Sequence, residues 1–423
     1  MKHLYLALAA LLAVCPAALG VTASSDSTCR GIRDYREEQG FYHKANRDLS
    51  DPRFMFSDQE ARIDFGIGCT ANVLTFYGVG GQSQDFDFTP GSIFVPSSSD
   101  RMYDMSIGGT EVHFKARTYL PNNHKMGAYI KIGAGRDNAI SLNQAYISYD
   151  NFSIGLIPTF FMDLEVGVLT TGLGFGSQVD LSHPLIGYTF HPAKRLSIAA
   201  ALEWPELDLD HYAPTTGVAT AYQHVPDVAV HVKYRGDKGH IQFGAVARWL
   251  TYWAYDYPVV NMESGVNRSE PGFGLSFSGN YKPFEKLKLS WELTTGYGYA
   301  GYLNNLSGLH LDMGRKVMDD GGYARMATIP VTSDQIAAQY DFSDKFSSSL
   351  VAGYTWCGRR EGVNNFNSTH GCFSLIGNFF WHINDYSYLG AEYLYGYRTE
   401  YAPEGAPSFG QAHRLAVVMA YFF

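Results

Sequence analysis

Charge, cysteine and long apolar runs are all scarce in this chain. Only 17% of its 423 residues are Asp, Glu, Lys or Arg, and 41 acids outnumber 32 bases. No basic face is left over to neutralise a phosphate backbone, which excludes a nucleic-acid partner. The five cysteines form no Cys-x-x-Cys pair. There is also no Gly-x-Ser-x-Gly elbow, no phosphate-binding glycine loop and no His-Glu-x-x-His, so no motif supports an enzyme. The one long apolar run is "LYLALAALLAV", near the N-terminus. Lys2 precedes it and "PAALG" follows, the pattern of a secretory signal over residues 1–20, cut after Gly20 or as late as Ala23. Val14 stands where a lipidation signal needs a small residue before Cys15, so ordinary cleavage is expected.

Tyr (30), Phe (27) and Gly (44) are plentiful. Their arrangement is periodic. The chain ends "HRLAVVMAYFF", with Leu415, Val417, Met419, Tyr421 and Phe423 at every second position. Such alternation puts one apolar stripe on one face of a strand. "KLKLSWELTT" opposes Leu287, Leu289, Trp291 and Leu293 to Lys288, Ser290, Glu292 and Thr294. "EVHFKARTYL", "KMGAYIKIGA" and "DVAVHVKYR" alternate in the same way. Short connections at 121–124, 150–151, 192–194, 236–239, 283–285, 343–345 and 384–385 are rich in residues of tight hairpins. Between them lie connections near 80–110, 136, 159–182, 204–225, 253–271, 298–328, 358–371 and 399–408, long in all but one case.

Turns and loops that alternate without a break of parity lie on opposite rims. The pattern predicts an all-β fold: a closed transmembrane antiparallel β-barrel of about 16 strands over residues 59–423, with short periplasmic turns and long extracellular loops. Its place is the outer membrane of a Gram-negative bacterium, with lipid against the apolar faces. Phe423 would close the last strand in the inner aromatic girdle, and such a strand resembles the signal read by the outer-membrane assembly machinery. Residues 21–58 are polar and without alternation, and read as a periplasmic N-terminal extension too poor in apolar positions to fold alone. A small plug is the other reading.

The stretch "ISLNQAYISYDNFSIGLIPTFFMDLEVG" resembles the DcaP-like outer-membrane porins and, more loosely, the phosphate-selective porins. Ala145, Tyr146, Phe160, Phe161, Met162 and Asp163 match the family's strand end and its aromatic-aromatic-Met-Asp loop. The segments "ARIDFGIG", "DFDFTPGSIFVP" and "GTEVHFKARTYLP" are similar to its first strands. The resemblance implies a homotrimeric porin that passes small hydrophilic solutes, in some members dicarboxylates or other anions. It also implies a constriction loop folded into the pore within 159–182, carrying Phe160, Phe161, Met162, Asp163 and Glu165. A polar inward face in a barrel of this strand number leaves a water-filled lumen, in agreement with passive diffusion. The alternative is a non-transporting barrel that binds surface molecules through its long loops.

With the turn centred on 122 and 123, Lys115 and Lys131 fall roughly opposite each other on the lumen face, beside Arg117 and Tyr129. One reading is a basic ladder that draws anions through the channel. The other is neutralisation by Asp163 or Glu165. His231 and Lys233 share the lumen face of their strand, and Arg248 projects inward across from Asp227 as a cross-strand ion pair. His113, His231 and His240 show no metal spacing and read as solvated lumen residues. Asp319 and Asp320 have a faint calcium-loop look but lack alternating oxygen ligands. Cys357 and Cys372 bracket an outward loop, and a disulfide there would restrict the unfolded chain by about 3 kcal/mol. Cys29 and Cys69 read as unpaired. No cofactor and no metal is expected.

Overall fold

Sixteen antiparallel strands close on themselves. In the computed structural model the described residues are 54–57, 63–81, 87–120, 124–135, 138–172, 176–209, 217–220, 223–255, 265–316, 323–360, 363–364 and 369–422. The expected export signal, most of the N-terminal extension, Asp319 with Asp320, and Phe423 lie outside them. The wall begins with β1 (Ile63–Val79), β2 (Glu111–Tyr119), β3 (Lys125–Ala134), β4 (Ile140–Tyr149) and β5 (Phe152–Pro158). It continues through β6 (Ser182–Ala193), β7 (Leu196–Glu203), β8 (Asp227–Gly236), β9 (Gly239–Ala254), β10 (Val266–Phe284) and β11 (Leu287–Tyr297). β12 (Pro330–Ser343), β13 (Phe346–Cys357), β14 (Thr369–Asn384), β15 (Ser387–Glu400) and β16 (Phe409–Phe422) complete it. β16 pairs back on β1, from Thr70↔Phe422 to Val79↔His413, so every strand has two partners.

The alternation that makes these segments strands also sorts their faces. Phe243, Leu275, Leu293, Ile336, Leu350, Leu415 and Met419 all point outward, each from 46% to 64% exposed. An apolar band of that extent cannot face water in a stable monomer, and hydrocarbon is its natural cover. Inward positions carry Ser, Thr, Gln, Asn, charges and glycine. Tight turns lie at one rim: β4 passes to β5 through Asp150, whose φ of 50° falls in the left-handed region that Asp tolerates.

Two features depart from a plain meander. The region 80–110 contains a strand of its own, Arg101–Ser106, which pairs with the outer half of β1 (Leu74–Val79), while β2 pairs with the inner half (Ile63–Thr70). Asn72 holds the break between them, its Nδ2 donating to Gly108 O at 2.6 Å and its N–H to Thr110 Oγ1 at 3.0 Å. Second, apolar cores lie inside the barrel. One joins Phe161, Val179, Tyr299, Tyr302, Leu303 and Leu306; another joins Leu74, Phe76, Phe88, Ile93, Ile376, Phe380 and Leu394. Both are built from loops folded against the inward face.

Candidate functional site

The segment from Thr159 to Leu181 has almost no ladder of its own, so its backbone groups need partners from elsewhere. Inward-facing side chains supply them. Glu203 of β7 accepts from Thr159 Oγ1 and from Phe160 N–H, both at 2.8 Å. His231 of β8 lies with Nδ1 2.7 Å from Phe160 O, and Gln242 of β9 donates to Met162 O at 3.3 Å. Asn280 of β10 donates to Glu165 O at 2.9 Å, and Lys288 of β11 to Gly167 O at 2.6 Å. Gln339 of β12 accepts from Leu169 N–H at 3.1 Å, and Asn378 of β14 donates to Leu169 O at 2.9 Å. Glu392 of β15 accepts from Thr171 N–H at 3.0 Å. On the way back, Ser333 donates to Ser177 O at 2.7 Å and Glu292 accepts from Val179 N–H at 3.2 Å. The loop thus lies along the inner wall from β7 to β15.

Its charged section is an ion-pair latch. Lys233 Nζ is 3.0 Å from both Asp163 Oδ1 and Glu165 Oε1, and Arg235 grips Glu165 with two donors at 2.6 and 2.9 Å. His240 Nε2 and the Ser278 hydroxyl meet Asp163 Oδ2 at 2.7 and 2.8 Å. Burial pushes the Asp163 carboxyl up, but the His240 hydrogen bond, the Lys233 charge and the Ser278 hydroxyl outweigh it and hold it well below 3.8. Glu165 is likewise raised by burial yet held below 4.5 by Lys233, Arg235 and His240. Asp163, Glu165 and His240 offer three ligand atoms within 4.8 Å of one another. Lys233 already supplies the cation those carboxylates would attract, so the donor set fits a latch and not a metal centre.

The opposite wall stays partly open. On β2 to β4 the inward Lys115, Arg117, Lys131, Gln144 and Tyr146 are half-buried, beside the buried Glu111, His113 and Tyr129, whereas the loop covers inward residues from β7 to β15. The more exposed inward side chains therefore lie off-centre, on β2 to β4. Lys115 and Lys131 are not directly opposed: Lys115 faces Tyr129, and Lys131 faces His113. The register is offset by two residues from that expectation, since the turn after Tyr119 spans five residues. The acid that meets Lys131 does not come from the loop. Glu111 reaches Lys131 Nζ at 2.7 Å, and Asp64 stands across from Arg117. Tyr129, expected to line the pore, is only 2% exposed between the rings of His113 and Tyr146.

Three other expectations need correction. Arg248 does meet Asp227, at 2.8 Å, but it is 5% exposed and does not line a water path. Its Nη1 lies 2.9 Å from Asp312 of the outer loop, and its guanidinium sits over the Tyr302 ring at 5.0 Å, so it anchors that loop inside the barrel. His240 is buried in the latch, not solvated. Cys357 and Cys372 are both free and buried. Cys372 faces Thr355, which leaves Cys357 on the diagonal two residues away, at a Cα separation of about 7–8 Å where a disulfide cannot close.

Periodicity gave no sign of the staples Glu203, Glu292, Glu392 and Lys288, because an inward charge looks the same whether it meets water or a loop. One signal was present. Glycines occupy inward strand positions where β-formers are the rule. A Cβ on Gly187 would lie 2.4 Å from the Phe160 ring, and one on Gly353 would lie 2.7 Å from Ser177 Oγ. These positions are footprints of the loop.

No family model and no curated protein matches this chain. Solved structures do. The outer membrane channel DcaP of Acinetobacter baumannii is 15% identical over 87% of this chain and 99% of its own, with a TM-score of 0.69. The anion-selective porin from Comamonas acidovorans is 12% identical over 85% and 100%, with a TM-score of 0.53. OmpT of Vibrio cholerae, in its trimer form, is 10% identical over 86% and 100%, with a TM-score of 0.51. At such identities the likeness establishes the fold of outer-membrane channels.

Proposed function

We propose that this chain is a DcaP-like porin: an exported protein that forms a water-filled channel through the outer membrane of a Gram-negative bacterium. Small hydrophilic solutes diffuse through it passively, with a modest preference for anions such as dicarboxylates, and three copies assemble together. The observation that carries the reading is the asymmetric interior. One wall is sealed by a latched loop, while Lys115, Arg117 and Lys131 remain within reach of water on the other. Charged rings of one excess sign bias permeation without demanding tight binding. The likeness to channels and to an anion-selective porin agrees with it. A surface-binding barrel would need projecting loops; Phe88, Leu303 and Leu306 instead pack inward, which gives that alternative less support.

Purified protein in a planar bilayer should show stepwise conductance in groups of three, and a silent bilayer would reject the channel. Across a salt gradient the reversal potential should favour anions. Lys115→Glu with Lys131→Glu should move it toward cations, and an unmoved potential would reject the basic wall as its source.

A further inference from the structure

The seam between the first and last strands is uneven. β1 begins at Ile63, but β16 reaches it only from Thr70, opposite Phe422. Below that point one edge of β1 is taken by β2, and the other would be bare. The strand Phe54–Ser57 occupies it, with Phe54↔Ile67, Met55↔Gly66, Phe56↔Phe65 and Ser57↔Asp64. It runs antiparallel to β1, as β16 does, and so continues the line of β16 toward the inner rim. Phe56 keeps the face: it pairs with the outward Phe65 and is 55% exposed.

Closure of a barrel fixes its stagger, and the commonest hidden error is a slip of two residues, which leaves every side chain on its proper face. Most of β16 would tolerate one: Ala412, Ala416, Val418 and Ala420 point inward and are small and similar, and Leu415, Val417, Met419 and Tyr421 are uniformly apolar outward, which leaves the inward Arg414, over the Phe76 and Phe88 rings, as the side chain that marks the register. A slip of two toward the inner rim would bring Phe422 to Gly68 and Phe423 to Ile67. Phe54 already holds the edge of Ile67. We propose that Phe54–Ser57 is a register stop, which sets the alignment of β16 on β1 by occupying the β1 sites that a strand slipped toward the inner rim would use. Its pairs are 7 to 13 residues apart in sequence (Ser57 with Asp64, Phe54 with Ile67), while Thr70 and Phe422 are 352 apart, so the stop forms before the seam closes.

Native Cys69 makes the test direct. In the native register position 421 faces Ala71; after a slip of two it faces Cys69. Tyr421→Cys therefore reports the slipped seam through an oxidative link to Cys69, and Ala71→Cys with Tyr421→Cys and Cys69→Ala reports the native one. Linked peptides are mapped in barrels identified by heat-modifiable mobility. With residues 54–57 intact, only the native link should form. Deleting 54–57, or Met55→Pro in the full-length chain, should make the Cys69 link appear and the native link decline. Barrels that lack the strand yet give the native link alone would overturn the proposal. So would failure of both variants to form any barrel, since a register stop is required for alignment and not for closure.

Discussion

Lys233 has a decisive position among the inward residues because it neutralises two carboxylates from one loop. Lys233→Met leaves Asp163 buried beside Glu165 with too little positive charge, and breaking a buried pair of this kind costs about 3–5 kcal/mol. The loop should detach locally while the wall persists. The expected outcome is noisier, larger single-channel currents at unchanged heat-modifiable mobility. Proton linkage gives the same latch a direction. The folded pKa of Asp163 is depressed below 3.8, so its contribution is present above that value and is lost as pH falls beneath it. Channel noise should therefore rise in strong acid and stay flat between mildly acidic and neutral pH. Cys357 and Cys372, buried and offset by two residues, should leave non-reducing mobility unchanged and react with a thiol reagent only after denaturation.

Strands and loops answer to each other through glycine. Gly187→Val would drive a side chain into the Phe160 ring, and Gly353→Val into Ser177, at opposite ends of the infolded loop. Each should displace the loop and alter conductance by a measurable step, while Gly78→Ala, whose added carbon would sit an ordinary 3.6 Å from Arg414, should be silent. Single-channel recording of the three variants separates loop placement from wall integrity. Equal conductance in all three would show that the glycines serve the strands alone. The same element scale limits what alternation can reveal. Residues 101–106 and 111–119 pair with successive halves of β1, and their joint at Asn72 depends on a side-chain hydrogen bond 36 residues away, which no local pattern marks.

Across the whole molecule, the inner latch and the outer loops respond to pH in opposite directions. Asp208 lies 3.2 Å from His310 and accepts the N–H groups of Gly308 and His310, tying two outer loops together beside Asp312. Burial and the Asp312 carboxylate push its pKa up to about 6 despite those donors. A raised folded pKa gives stability that is complete below the ordinary 3.8 and disappears as pH climbs through about 6. Limited proteolysis of the outer loops should be slower at pH 4.5 than at 7.5 (by about tenfold or somewhat more, since each pKa unit is worth about 1.4 kcal/mol), and Asp208→Asn should abolish the difference. A difference that persists in Asp208→Asn would place the titration elsewhere.

Strand number, facing and rim assignment were legible in the amino-acid order, because a period of two is a local property of each segment and turns declare themselves by composition. So was the inward direction of Lys115, Lys131, Lys233 and Arg248. Which of them meets water was not. Lys131 goes to Glu111, Lys233 to a loop 70 residues away, Arg248 under Asp312, and Thr171 crosses 221 residues to Glu392. Those partners depend on register and on the path of loops inside the cylinder, and both are fixed only when distant strands close on one another.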